Sequence, residues 1–127
     1  MRKRPPEWLP RVLGWLTLGY GAYTLARPQS LVHAAGLEPG PGPISRRGRL
    51  LGTAVGARDL VSGLAMVAAA PGTPLRVAVS ARVACDLGDV IGLGGAVPPR
   101  YRTKVVAAAG GWGLLCAASY PAAGRRR

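Results

Sequence analysis

The chain has 127 residues and carries 17 basic against 5 acidic side chains, a formal net charge of +12. Its apolar content of 49% is mostly Ala, Leu and Val with no Phe, and Gly (19) and Pro (12) are plentiful. This length allows one domain, 1–127, and the apolar content excludes a disordered polycation; glycine and proline set within and between long apolar runs point to close-packed helices with stiff joints.

The basic residues cluster in "MRKR" at the start, "SRRGR" at 45–49, "RYRTK" at 100–104 and "GRRR" at the end, each beside an apolar run. Juxtamembrane anchors look like this, each charge drawn to anionic lipid headgroups by roughly 1 kcal/mol. A nucleic-acid binder would show a basic stripe with interleaved aromatics or a recognition helix, and neither is present. Lipid is the expected partner and nucleic acid is not.

The first apolar run, 8–26, is long enough to span a bilayer, which takes about 20 helical residues. Arg2, Lys3 and Arg4 before it resemble the start of a signal peptide, but Tyr20, Tyr23 and the glycines make an atypical signal core, so a retained helix is expected. In the loop that follows, Ser30 is expected to cap a short interfacial helix that ends at Gly36. His33, the one histidine, reads as an interfacial residue, since no second histidine can share a metal.

Further spans are expected at 50–70, 74–96 and 103–123. The joint "PGTP", Pro71 to Pro74, is short enough to force a tight antiparallel hairpin between the second and third runs. The expected fold is therefore all-α, a four-helix transmembrane bundle with a short interfacial helix in the first loop. A soluble bundle would show a polar face along each helix, and the first and fourth runs lack one. The two flanks of such a bundle carry nearly equal basic charge; the first helix then favours cytoplasmic termini.

The middle runs are not purely apolar. Arg58 and Asp59 sit in the second, and Arg82, Asp86 and Asp89 in the third. A lone charge at the centre of a spanning helix costs about 2.5–3.5 kcal/mol, so these residues need one another or water. Arg82, Asp86 and Asp89 share one helical stripe, and Arg82 can pair with Asp86 one turn on. Gly52, Gly56, Asp59 and Gly63 share another, with "GTAVG" a close-approach motif, and Gly110 marks a similar surface in the fourth run.

If "PGTP" is the fold point, Asp59 stands level with Asp86, Gly56 with Asp89 and Gly63 with Arg82. Two carboxylates then meet at mid-depth and cannot both ionise cheaply unless Arg58 or Arg82 intervenes. Two uses fit such a cluster. It is a candidate site for a proton or a small polar or amphiphilic ligand, with Asp59 and Asp86 as acid–base or binding groups and Arg58 and Arg82 as counter-ions or anion clamps. Equally, it serves as a lock that only holds helices in register.

Other motifs add little. "GLGGAV", Gly92 to Val97, lacks the third glycine and the strand of a dinucleotide loop. "DLGD" has the spacing of a magnesium site on a diphosphate headgroup, but Arg82 would partly neutralise it. Cys85 and Cys116 match no metal spacing and read as packing residues; no metal or cofactor is expected, and no catalytic set is recognisable. Trp112 and Tyr120 are expected against lipid or the interface.

The stretches "SLVHAAGL", "RLLGTAVGARDLVSGLAM" and "ARVACDLGDVIG" together resemble a family of small four-helix bacterial integral membrane proteins. That family's signature is G-x-R-D in helix two and a D-x-x-D-like element in helix three, matched here by Gly56, Arg58, Asp59, Asp86 and Asp89. In layout the chain is more distantly similar to DoxX-like proteins. The resemblance implies a multi-pass protein of the bacterial plasma membrane and no particular activity. The glycine faces leave room for a homo-oligomer.

Overall fold

A computed structural model describes residues 6–38, 40 and 42–124. The chain is all-α: α1 (Leu9–Ala26), α2 (Pro28–Ala34), α3 (Arg46–Ala68), α4 (Thr73–Ala96) and α5 (Pro99–Ala123). The expected four-helix transmembrane bundle with a short interfacial helix in the first loop is corrected by this structure. There are five helices among the described residues, and only α3 and α5 are long and apolar enough to cross a membrane. α1 has eighteen residues with Pro10 and Arg11 in its first turn, and α4 carries Arg76, Arg82, Asp86 and Asp89. The short helix α2 packs on the rest of the protein through buried Pro28 and Val32.

Local chemistry explains where the helices begin. α1, α2, α4 and α5 each have proline in the first turn, where the missing N–H costs nothing and the fixed φ suits a helix. α3 starts differently. Ser45 Oγ accepts from the Gly48 N–H at 3.1 Å, while Ser45 donates through its own N–H and hydroxyl to the two oxygens of Glu38, each at 2.6 Å. These two donors hold the Glu38 carboxyl below its ordinary value. The cap makes α3 begin at Arg46 rather than at 50, so basic residues expected to flank a span lie in its first turn.

The ends follow similar rules. α2 closes in a Schellman arrangement: Gly36, at φ +68°, donates to His33 O, and Leu37 donates to Val32 O. Ser30 is not its cap; the Ser30 hydroxyl donates to Arg27 O at 2.7 Å. Three basic side chains from elsewhere reach helix C-termini, where carbonyls lack partners and the dipole favours cations. Arg11 Nη1 donates to Met66 O, Val67 O and Ala69 O of α3; Arg102 donates to Gly94 O of α4, and Lys104 to Ala34 O of α2. The basic ends at 1–5 and 125–127, expected to anchor the chain, lie outside the described residues.

The helices pack as two antiparallel pairs, α1 on α3 and α4 on α5, with α2 laid on α3. The expected turn at 71–74 is present, with Gly72 at φ +100° and its N–H bonded to Ala123 O at 2.8 Å. A dry core lies at this end: Leu13, Met66, Leu75, Ala78, Val79, Cys116 and Ala123. Away from it the two pairs diverge, and the space between them is polar at its base.

Candidate functional site

At the base of that space, α3 and α4 meet through charge. Arg82 is 2% exposed and forms the centre: Nη1 donates to Asp59 Oδ1 at 2.6 Å and Ser62 Oγ at 2.9 Å, while Nη2 and Nε donate to Asp86 Oδ1 and Oδ2 at 2.6 and 3.3 Å. Arg58 forms a second fork. Its Nη1 and Nη2 bind Asp89 Oδ1 and Oδ2 at 2.6 and 2.8 Å, and Nη2 and Nε also reach Asp59 Oδ1 at 2.9 and 3.2 Å. Such bidentate, charge-assisted pairs are the strongest hydrogen bonds available to a protein. In the described residues no buried side-chain nitrogen or oxygen lacks a partner.

The structure thus brings Arg58, Asp59, Arg82, Asp86 and Asp89 into one network. Arg82 bonds both Asp59 and Asp86, and Arg58 bonds both Asp59 and Asp89, so both arginines intervene between the carboxylates. The glycine stripe, however, faces elsewhere. Gly56 packs on Gly21 and Leu25 of α1, Gly63 on Gly14 and Leu18, and Gly52 on Pro28. The expectation that Gly56 and Gly63 stand opposite Asp89 and Arg82 is therefore corrected: these glycines let α1 approach, while Asp59 of the same stripe and Arg58 beside it bond to Arg82 and Asp89 of α4. Gly110 is not a close approach, because a Cβ there would sit 3.7 Å from Val90, an ordinary contact. Gly113 takes that part instead, with room for a Cβ limited to 3.0 Å by the Cβ of Asp86.

Above the network lies a cavity of about 460 Å³ between the two helix pairs, closed on one side by α2. Its base is formed by Asp59, Arg82, Asp86 and Asp89, and its walls by apolar residues of all five helices, among them Leu16, Leu31, Val55, Leu93, Val105 and Ala109. The size falls within the roughly 300–1,000 Å³ of small-molecule sites, which pair apolar walls with a few fixed polar groups. Trp112, expected to face lipid, instead lines this space, with its indole N–H bonded to Thr17 Oγ1 at 3.0 Å. Tyr120 is exposed and lies under Arg76.

Thr17, Tyr20, Lys104 and Trp112 also line the cavity, and none of them was expected as a site residue. The signal was present on α1, where Thr17, Gly21 and Thr24 recur on one buried face and form a polar stripe in an apolar helix. Among the described residues no three His, Cys, Asp or Glu side chains stand together as a metal site requires. Cys116 is buried in the core and Cys85 is half-buried, both as free thiols. No family model, curated protein or solved structure matches the chain.

Proposed function

We propose that this is an integral protein of a bacterial plasma membrane that holds a small amphiphilic molecule in the cavity, its polar head on the Asp59/Arg82/Asp86/Asp89 base, which Arg58 supports from outside the cavity. One observation carries the reading: apolar walls converge on a charged base that the cavity reaches. A network serving only as a lock has no need of an open space above it; packing would fill that space, since an unfilled cavity costs contacts. Lipid surrounds the protein in this reading, and α3 and α5 supply the membrane-crossing helices. The bacterial setting rests on the resemblance of "GARD" and "DLGD" to the small membrane proteins named above, and on a residue usage rich in Ala, Arg and Gly without Asn.

The lock remains the second reading, favoured by the complete pairing of buried polar groups. Filling the cavity distinguishes the two. With Trp8 and Trp15 replaced by Phe, Trp112 is the one remaining tryptophan and reports from the cavity wall. In lipid nanodiscs, six-carbon amphiphiles should change its emission saturably, and Ala109→Phe should abolish that response while the protein stays folded. A linear, non-saturating response for every probe would leave only the lock.

A further inference from the structure

The network is not balanced. Arg58 and Arg82 face Asp59, Asp86 and Asp89, so two guanidinium groups meet three carboxylates, a formal charge of −1. The hydrogen bonds show where the surplus sits. Both oxygens of Asp86 are taken by Arg82, and both oxygens of Asp89 by Arg58. Asp59 differs: Oδ1 accepts from Arg58 twice and Arg82 once, and Oδ2 accepts from no group among the described residues. Asp59 is only 5% exposed, yet Oδ2 is not sealed in, because no buried side-chain oxygen lacks a partner. The space that Asp59 borders is the cavity.

Taking the cavity as a binding site for an amphiphile, we propose that its ligand is a protonated amine, an alkylammonium whose N–H donates to Asp59 Oδ2 while its apolar chain lies along the walls. A buried excess of charge is costly, and one cation at Oδ2 brings the network to neutrality and reaches the oxygen that neither guanidinium does. The other cation on the wall does not do this. Lys104 makes no ion pair with the cluster, and its Nζ is held on Ala34 O at the end of α2. An anionic head fits poorly, since Arg58 does not line the cavity and Arg82 already makes four hydrogen bonds within the network.

The test ranks head groups on one chain length. Hexylammonium, hexanol and hexanoate are titrated at neutral pH into nanodisc-embedded protein carrying Trp8→Phe and Trp15→Phe, reading Trp112 emission. Hexylammonium should bind about tenfold or more tighter than hexanol, the fold-change of one charge-assisted hydrogen bond, with hexanoate weakest. Asp59→Asn should erase the preference for hexylammonium over hexanol while hexanol still binds. Hexanol or hexanoate binding as tightly as hexylammonium overturns the ammonium assignment and leaves the cavity reading standing. Saturable binding by none of the three removes both. Because the ranking is measured on intact Asp59, it decides the matter even if Asp59→Asn does not fold.

Discussion

At the scale of residues, the network separates two arginines that the sequence presents alike. Arg82 is sealed between two carboxylates, whereas the Arg58 side chain is 29% exposed and can be replaced in part by solvent. Removing Arg82 leaves Asp59 and Asp86 buried without their shared cation, a change of the kind that costs about 3–5 kcal/mol. Arg82→Met should therefore lower thermal stability in nanodiscs far more than Arg58→Met. Adding Asp86→Leu to Arg82→Met should recover part of the loss, because an apolar pair needs no counter-charge. Equal losses for the two arginines would mean that burial does not govern their contribution. The five charged residues were legible as a group because ionised side chains inside apolar runs demand one another. Which oxygen stayed free was not legible, since that depends on rotamers fixed by both helices together.

At the scale of elements, a short turn and a small-residue stripe carry different kinds of information. The "PGTP" turn makes α3 and α4 an antiparallel hairpin, which brings the charged middle of one helix within reach of the charged middle of the other. It does not fix which flank of α3 faces α4. The stripe Gly52, Gly56 and Gly63 announces a close neighbour, but the neighbour is chosen by a complementary stripe, and α1 has one in Gly14 and Gly21. A Cβ on Gly63 would collide with the backbone of Leu18 and stand 2.8 Å from Gly14 O, whereas a Cβ on Gly88 meets nothing within 4 Å. Gly63→Ala should thus force α1 from α3 and lower the unfolding temperature. Gly88→Ala should be neutral or stabilising by up to about 1 kcal/mol, since alanine is the better helix former. Paired thermal melts check the sign of each. Helix boundaries were missed for a related reason: Arg46, Arg47 and Arg49 look like flanks until Glu38 and Ser45 are seen to build the cap that starts α3.

At the scale of the whole molecule, the surface bears on the proposed membrane setting. Large apolar side chains are exposed on every long helix, including Trp15 on α1 (60%), Val61 on α3 (67%), Ile91 on α4 (71%) and Leu114 on α5 (73%). Water would meet these side chains at a cost of about 1.5–3 kcal/mol each relative to burial, and a soluble monomer rarely carries so many. Beside the apolar core, Arg82, Asp59, Asp86, Thr17 and Thr24 are turned inward. Apolar side chains outside and paired charges inside are compatible with lipid as the solvent, because there the charges have only each other. Alkaline carbonate strips proteins held on a membrane by charge alone, and the large positive excess of this chain makes that the competing explanation for any membrane association. The protein should stay in the membrane pellet through a carbonate wash and leave it only in detergent. Release into the supernatant would mean that the basic residues, not the apolar faces of α3 and α5, hold it to lipid, and the cavity would then have to be read as a site in a soluble protein.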